Sequence, residues 1–378
     1  METNHMESRL VDDALGRILQ RIDATIAQDE AGFPHYGNPG DDTWTRSPAG
    51  DWTGGFWVGM LWLAALRTGE QKYCDSARMW SARLAPRVAS KSVFKGFLFW
   101  YGAHLGGSLL ADSQAAGLAV DGTRGLAEMY SEAARLIPLG TEAEEASSVG
   151  TSEANIDAIP GTVALLLRHD AALGTGEIGR QHLRQHIALC VREDGSVCQS
   201  ATFNAADGLL VKRYTHKGIH DGSTWARAQA WGMLGLAQAL SCGEQAFASD
   251  AIRVADWWVA HLPADRVAFW DFDDPAIPHT NRDTSATAIA AASLLKLAAL
   301  IPERAAVYRQ AAVDSIEQLV TRFLTPVGPG DVRQPGILTG GCFNKRNGVA
   351  MDNELVWGDY FLLESLLILA GTVGATQV

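Results

Sequence analysis

The fold is decided by residues 283–299, DTSATAIAAASLLKLAA, a stretch that would be almost uncharged on every side of a helix. Alanine and leucine favour helix formation, and a helix without a polar face is buried inside a protein. Residues 222–241 have the same character, whereas residues 177–192 and 303–324 carry Arg, Glu, Gln or His on one face. The second kind is typical of helices that face solvent. The chain therefore contains an inner and an outer type of helix.

Helical periodicity covers most of the chain, and the two types of helix alternate along it. Gly69, Gly174 and Gly243 each end one segment close to the start of the next, as expected for helical hairpins. Six inner helices surrounded by six outer helices form an (α/α)6 barrel, so we predict an all-α fold of six helical hairpins. Residues 197–214 and 337–343 are compatible with short strands. The twelve predicted helices are residues 10–26, 54–68, 70–85, 96–110, 113–137, 157–173, 177–192, 222–241, 243–261, 283–299, 303–324 and 356–371.

The composition is that of a soluble globular protein. Of 378 residues, 47% are hydrophobic and 20% are charged, which provides apolar material for a core and too little charge for disorder. No low-complexity linker interrupts the chain, and the Pro- and Gly-rich stretch 325–336 is interpreted as a long loop of the barrel. We therefore predict a single barrel domain over residues 1–378.

Charge and cysteine content argue against several functional classes. The formal net charge of −12 and the lack of a Lys/Arg block argue against a nucleic-acid partner. No apolar run reaches the length of about 18 residues that a membrane helix needs. Five cysteines without a CxxC pair argue against a disulfide framework and a structural zinc site, and we expect neither a metal nor an organic cofactor. Residues 1–12 contain no apolar leader segment, so the predicted location is the cytoplasm.

The N-termini of the inner helices open on one end of a hairpin barrel, and five of these six starts carry an aspartate. An aspartate at such a position has an alternative role as an N-cap, worth about 1 kcal/mol. A cap, however, needs no indole beside it, and these aspartates are interleaved with tryptophans. Carboxylates and aromatic rings in a concave site are typical of sugar binding. The aspartates are Asp51, Asp157, Asp221, Asp283 and Asp359, and the tryptophans are Trp52, Trp57, Trp225, Trp231 and Trp357.

Two of the helix starts place an ionisable group in apolar sequence. Asp157 lies between Ile156 and Ala158, where burial would disfavour the ionised carboxyl, raise its pKa and suit it to donate a proton. Arg227 lies one turn into an otherwise apolar inner helix. It needs an anionic partner, which is either an aspartate of the barrel or a carboxylate of the substrate.

His182 and His186 share one face of the predicted helix 177–192. A pair at this i, i+4 spacing can bind a metal ion, but on a polar outer helix it is interpreted as a solvated pair. We therefore predict no metal site.

Five blocks of sequence occur in order over nearly the whole chain: DWTGGFWVG at 51–59, HKGIHDGSTWARAQAWG at 216–232, FWDF at 269–272, RDTSA at 282–286 and WGDYFLLE at 357–364. Together they resemble the unsaturated glucuronyl hydrolases, glycoside hydrolase family 88. The resemblance implies an (α/α)6 barrel that acts on oligosaccharides left by polysaccharide lyases. The non-reducing end of such an oligosaccharide is a 4-deoxy-4,5-unsaturated uronic acid.

The resemblance also implies a mechanism and site residues. An aspartate donates a proton to C4 of the C4=C5 enol ether while water adds at C5, and the hemiketal then rearranges, opens the ring and releases the next sugar. The family's proton donor falls on Asp157, its substrate-binding arginine on Arg227, and two of its site tryptophans on Trp52 and Trp231. Trp225 is added as a further substrate-binding residue from the cluster of aspartates and tryptophans. The expected partner is a small oligosaccharide that carries an unsaturated uronate.

The chain departs from the family pattern at several polar positions. The family's His-Asp-x-Gly-Phe block reads VFKGF at 93–97, so Phe94 takes the place of a second carboxylate. Gln199 stands where the family has a histidine, and Lys217 stands where it has a glutamine. Phe94, Gln199 and Lys217 are predicted to lie in the substrate site with altered polarity.

Two explanations of these departures stay open. In the first, Asp157 works with another carboxylate on an unusual substrate, and the candidates are Asp51, Asp221 and Asp283. In the second, the activity is altered or lost. We favour a working enzyme in which Lys217 contacts an anionic sugar. Two other functions also stay open. One is a direct glycosidase or epimerase that acts on a saturated uronic sugar, and the other is a sugar-binding protein without activity.

Overall fold

A computed structural model describes residues 2–28, 31–38, 42–144 and 150–378, with side chains from residue 9 onward. Twelve helices dominate this part of the chain. None of the described helices is long and apolar enough to cross a membrane. The helices are α1 (Glu2–Ala27), α2 (Gly54–Thr68), α3 (Gln71–Ala82), α4 (Lys95–Phe99, continued by a π-helical turn at Trp100–His104 and by Leu105–Leu110), α5 (Ser113–Ala127), α6 (Thr162–Arg168, followed by Asp170–Leu173), α7 (Gly176–Cys190), α8 (Ala226–Ser241), α9 (Ala248–His261), α10 (Thr284–Leu300), α11 (Ala305–Arg322) and α12 (Val356–Leu369).

The even-numbered helices form an inner ring. Each contacts the next in the order α2, α4, α6, α8, α10 and α12, and α12 returns to α2. Residues 226–240 of α8 and 284–297 of α10 are buried without exception. In α11, by contrast, the buried residues lie on one face, which includes Tyr308, Ala312 and Leu319. The two types of helix predicted from the sequence are therefore the two layers of an (α/α)6 barrel, and the predicted fold class is confirmed.

The turn that leads into α6 lies directly against the start of α4. Gly161 has a φ of 72°, a left-handed conformation that glycine adopts without strain. A Cβ at this position would come within 2.6 Å of the Gly96 carbonyl oxygen, and a Cβ at Gly96 would clash with Oγ1 of Thr162. Both glycines are therefore needed for the close approach that fixes residues 156–158 at the mouth of the barrel.

Two antiparallel three-stranded sheets flank the helices. One has the strand order β2–β1–β6 and the other β3–β4–β5. The strands expected in residues 197–214 are confirmed as β4 and β5, whereas β1, β2, β3 and β6 were not predicted. The strands are β1 (Phe33–Asn38), β2 (Thr43–Ser47), β3 (Glu153–Asn155), β4 (Ser200–Phe203), β5 (Leu210–Tyr214) and β6 (Glu354–Leu355).

A strand within residues 337–343 does not form, which corrects that expectation. The backbone N–H of Ile337 donates to the Glu354 carboxylate at 3.0 Å, and that of Leu338 donates to the Asp359 carboxylate at 2.9 Å. Side-chain oxygens therefore accept these two hydrogen bonds, and the segment forms isolated bridges, at Leu338 with Leu324 and at Gly341 with Asn353, instead of a strand.

His182 and His186 are fully buried, which corrects the expectation of a solvated pair. They lie on the inward stripe of α7 with Leu183 and Leu189, and Nδ1 of His182 accepts the Ile137 N–H at 3.0 Å. Burial lowers the pKa of His186 to about 4 and also lowers the pKa of His182, so both rings are neutral. The described residues contain no cluster of three or more His, Cys, Asp or Glu side chains placed to hold a metal ion.

Candidate active site

A cavity, which we call the barrel cavity, lies where the inner helices begin. Its wall contains every residue that the sequence predicts for the substrate site, together with a few others. The predicted residues are Trp52, Phe94, Asp157, Gln199, Lys217, Trp225, Arg227 and Trp231, and the others are Phe97, Glu144, Asn155 and His216.

The shared orientation of the inner helices brings these side chains together. Trp52 precedes α2, Phe94 is the residue before α4, and Asp157 belongs to a 3-10 turn before α6. The start and first turns of α8 contribute Trp225, Arg227 and Trp231 in the same way. Gln199 comes instead from the position directly before β4, and Lys217 lies shortly after β5. The site therefore combines helix starts with one pair of strands.

A set of hydrogen bonds fixes Asp157 relative to Gln199. The side-chain oxygen of Asn155 accepts the Asp157 N–H at 2.9 Å, and the Gln199 carbonyl oxygen accepts the Ile156 N–H at 2.9 Å. The Gln199 amide nitrogen donates to Oδ2 of Asp157 at 3.1 Å, while its amide oxygen accepts the Lys217 N–H at 3.0 Å. Because the oxygen is bound in this way, Gln199 presents its NH2 group to Asp157.

The carboxyl of Asp157 has the properties of a proton donor. Asp157 is 7% exposed, and burial raises its pKa from 3.8 to about 6. Lys217, the Gln199 hydrogen bond and Arg227 each lower this pKa and so limit the rise. Oδ1 forms no hydrogen bond with any residue that the structure describes. Near neutral pH the carboxyl therefore keeps part of its protonated form, and one of its oxygens is available to a ligand.

Arg227 is bound by the protein itself. Its guanidinium forms an ion pair with Asp283, donates to the Cys342 carbonyl oxygen at 2.9 Å and also donates to the Phe343 carbonyl oxygen. Asp283 in addition caps α10 by accepting the Ser285 N–H at 3.1 Å. Of the two partners that the sequence allowed, the structure contains the barrel aspartate. Arg227 therefore contributes a fixed positive charge to the cavity wall.

Lys217 places an ammonium group among aromatic rings. Its Nζ lies 4.5 Å from the ring centroid of Phe343, 5.8 Å from that of Trp225 and 6.0 Å from that of Trp52. Such cation–π contacts favour a cation where water is largely excluded. Lys217 also lowers the pKa of Asp157, so the two groups act on each other electrostatically. An anion bound next to Lys217 would therefore lie close to the proton donor.

The other aspartates at the helix starts do not line the barrel cavity in the part of the chain that the structure describes. Asp221 is exposed and pairs with Lys212 at 3.0 Å. Asp51 is partly exposed, and Asp283 is paired with Arg227. The expectation that one of these three carboxylates joins Asp157 in the site is not met, because each has another position or partner.

The chain is similar over most of its length to enzymes of known activity. It is 31% identical over 344 residues to the unsaturated glucuronyl hydrolase of Bacillus sp. (strain GL1), a match that covers 89% of this chain and 90% of the relative. This chain belongs to the unsaturated glucuronyl hydrolase family. It is also 25% identical over 378 residues to the unsaturated chondroitin disaccharide hydrolase of Streptococcus pneumoniae, with 94% of this chain and 91% of the relative covered.

Solved structures of the unsaturated glucuronyl hydrolase family share the barrel. The crystal structure of the Bacillus sp. GL1 enzyme matches with a TM-score of 0.84 at 28% identity, over 95% of this chain and 96% of that one. The structure of a UGL variant with dGlcA-Glc-Rha-Glc matches with a TM-score of 0.86 at 29% identity, over 94% and 96% of the two chains. No family model matches the chain, so its membership rests on these full-length relatives.

In this family member three polar residues of the cavity wall, Glu144, Asn155 and His216, were not predicted. Burial lowers the pKa of His216 to about 3, with Lys217 acting in the same direction, so the ring is neutral. Its Nδ1 lies 3.2 Å from Oγ of Ser200. His216 directly precedes Lys217 in a block that resembles the family, and that signal could have identified it. Glu144 lies in the connection between α5 and β3, where no local pattern marks it.

Proposed function

We propose that the chain releases a 4,5-unsaturated uronic acid from the non-reducing end of short oligosaccharides. The names of the relatives, unsaturated glucuronyl hydrolase and unsaturated chondroitin disaccharide hydrolase, support this substrate class. The observation that carries the proposal is the Asp157 carboxyl, which is buried, has a pKa of about 6 and acts electrostatically on Lys217. A proton donor beside a cation suits a substrate whose carboxylate is attached next to the carbon that receives the proton.

The barrel cavity suits the terminal sugar of such a substrate. Its wall combines aromatic rings with a few polar and charged side chains, as the walls of small-molecule sites do. Trp52, Trp225 and Trp231 line it, and aromatic rings are typical partners of the C–H groups of a sugar. Lys217 binds the carboxylate on C5 in this proposal, and C4, the next ring carbon, then faces Asp157.

Asp157 acts as the general acid. The C4=C5 bond is an enol ether because the ring oxygen is attached to C5, so protonation at C4 moves positive charge to C5 and the ring oxygen. Water then adds to C5, and the proton that it loses restores the Asp157 carboxyl. The hemiketal at C5 opens to a ketone, and the hemiacetal left at C1 breaks down to an aldehyde and the free sugar. The net reaction consumes one water.

A direct glycosidase is the second candidate, because Glu144 provides a second carboxylate in the cavity wall. Such an enzyme cleaves a saturated sugar with two carboxyl groups that flank the glycosidic bond. In that case Asp157 would be the acid, and Glu144 would be the base or the nucleophile. Because Glu144 forms an ion pair with Arg87, its carboxylate is less suited to act as a base or as a nucleophile.

The test follows the ultraviolet absorbance of the conjugated C4=C5 bond in unsaturated disaccharides made by polysaccharide lyases. We expect the absorbance to fall with the wild-type protein, and Asp157→Asn to lower kcat by about 100-fold or more. Asp221→Asn is the matched control, because it removes an exposed carboxylate outside the barrel cavity. Undiminished turnover by Asp157→Asn contradicts the proposal. Cleavage of a saturated aryl glycoside favours the glycosidase, and binding without product favours a sugar-binding protein.

A further inference from the structure

Glu144 supplies the only carboxylate besides Asp157 in the wall of the barrel cavity, among the residues that the structure describes. The guanidinium of Arg87 forms an ion pair with Oε1, and the Ser92 hydroxyl donates to Oε2 at 3.0 Å. Each carboxylate oxygen can accept more than one hydrogen bond. Glu144 therefore keeps capacity to accept hydrogen bonds from a ligand in the cavity.

The two partners of Glu144 also form hydrogen bonds with the segments that precede α2 and α4. Arg87 donates to the Asp51 carbonyl oxygen at 2.9 Å, in the turn that leads into α2. The Ser92 hydroxyl accepts the Phe94 N–H at 3.3 Å, at the start of α4. The position of the Glu144 carboxylate is therefore fixed relative to the aromatic wall of the cavity.

The order of the inner helices gives Glu144, Asp157 and Lys217 an order around the mouth of the barrel. Glu144 is held by the connection that precedes α4, Asp157 lies directly before α6, and Lys217 lies in the connection that precedes α8. These three helices are consecutive in the ring, with α6 in the middle. Along this ring of helices, the segment that carries Asp157 therefore lies between the segment that holds Glu144 and the one that carries Lys217.

The ring of an unsaturated uronate has a matching order of groups. C4 lies between C5, which carries the carboxylate, and C3, which carries a hydroxyl. When C4 faces Asp157 and the C5 carboxylate faces Lys217, the C3 hydroxyl faces Glu144. The hydroxyl on C2 is the next group along the same edge of the ring.

We propose that Glu144 is a specificity-determining residue of the site. Its carboxylate accepts a hydrogen bond from the C3 hydroxyl of the unsaturated uronate, and its charge disfavours a sulfate ester on the neighbouring C2 hydroxyl. This assignment rests on the proposed function, because it uses the orientation of the uronate that proton donation by Asp157 requires. The preferred substrate is then an unsaturated uronate with free ring hydroxyls.

The test measures kcat/KM for two unsaturated disaccharides that differ only in a sulfate ester on the C2 hydroxyl of the uronate. Glu144→Gln keeps the size of the side chain and removes its charge. We expect it to lower kcat/KM for the unsulfated substrate by about tenfold. The ratio of kcat/KM for the sulfated substrate to kcat/KM for the unsulfated one should rise by about tenfold. Glu144→Asp keeps the charge and is expected to keep the wild-type ratio at a lower kcat/KM.

Glu142→Gln is the matched control. Glu142 is exposed, and its carboxylate accepts the Lys91 N–H at 2.6 Å outside the barrel cavity. Removal of this charge, two positions from Glu144, is therefore expected to leave kcat/KM for both substrates unchanged. Thermal unfolding of each variant tests whether a lower kcat/KM reflects a smaller folded fraction.

The possible outcomes separate the two proposals. A ratio that changes no more in Glu144→Gln than in Glu142→Gln, while the wild type turns over the unsulfated disaccharide, overturns the inference alone. A wild-type protein that turns over neither disaccharide contradicts the proposed function and the inference with it. A wild-type preference for the sulfated disaccharide overturns the inference whatever the variants do.

Discussion

The side-chain amide of Gln199 donates a hydrogen bond to Oδ2 of Asp157 over 3.1 Å. This bond stabilises the ionised carboxyl, whereas burial stabilises the protonated one, and the balance leaves the pKa of Asp157 at about 6. The backbone N–H of Lys217 fixes the orientation of the amide by donating to its oxygen at 3.0 Å. A neutral side chain therefore adjusts the pKa of the proposed proton donor.

Loss of this hydrogen bond is expected to extend activity to higher pH. Gln199→Met keeps the length of the side chain but cannot donate, so the pKa of Asp157 should rise above about 6. The proposed reaction needs the protonated carboxyl, so kcat/KM falls as the pH rises through this pKa. The basic limb of the pH profile of kcat/KM should therefore move to higher pH in the variant. A basic limb that moves to lower pH would contradict the role of Gln199.

Lys217 is expected to bind the carboxylate of the substrate. Lys217→Met should lower kcat/KM for an unsaturated disaccharide by about tenfold or more, mainly through KM, because a charge-assisted contact is lost. Lys217→Arg keeps the positive charge and should retain more of the activity. The measurement is KM as a function of ionic strength. If KM of the methionine variant depends on salt as strongly as KM of the wild type, the proposed ion pair with the substrate does not exist.

The buried Asp157 carboxyl is expected to make the folded protein less stable as the pH rises. Its pKa of about 6 in the folded protein exceeds the ordinary value of 3.8, so the folded state binds the proton more tightly than the unfolded state. The stability that this proton contributes is fully present below 3.8 and is lost as the pH rises through about 6. Asp157→Asn stays neutral and should be more stable than the wild type at about pH 8, by up to about 3 kcal/mol.

Urea unfolding of both proteins at acidic and alkaline pH measures this difference. The two free energies of unfolding should converge near pH 4, where both side chains are neutral in the folded state. Asp221→Asn is again the control, because Asp221 is exposed and its partner Lys212 holds its pKa below the usual value. A stabilisation by Asp157→Asn that is equal at all pH values would have a cause other than the buried charge.

The barrel was predictable because its signals are local in the sequence. An apolar helix such as 283–299 and an amphipathic one such as 303–324 differ within a few positions, and the layer of each helix follows from that difference. Strands β1 and β2 had no comparable signal, because β1 also pairs with β6 near the other end of the chain, with Gly37 opposite Glu354. The single domain over residues 1–378 and the cytoplasmic location stay predictions.

The site was predictable where helix starts form it. Trp52, Phe94 and Asp157 each precede an inner helix, so the barrel topology alone brings them to one end. Glu144 follows no such rule, because its place depends on Arg87 and Ser92, which lie 57 and 52 positions earlier. The roles assigned to the residues of the cavity wall stay predictions until variants are measured.

The ion pair of Arg227 with Asp283 is expected to contribute to both stability and activity. Arg227→Met leaves the Asp283 carboxylate buried without its cation, which should cost about 3–5 kcal/mol of the free energy of unfolding. Asp283→Asn keeps an N-cap for α10 but removes the charge that Arg227 needs. The double variant has neither charge and should be less destabilised than the sum of the two single variants.

A pH profile separates the catalytic contribution of Arg227 from the structural one. Arg227 lowers the pKa of Asp157, so Arg227→Met should move the basic limb of kcat/KM to higher pH. Asp283→Asn keeps the guanidinium charge and should not move the limb in that direction, although it also breaks the ion pair. If both variants shift the limb equally, disruption of the fold is the common cause, and the charge of Arg227 does not act on the proton donor.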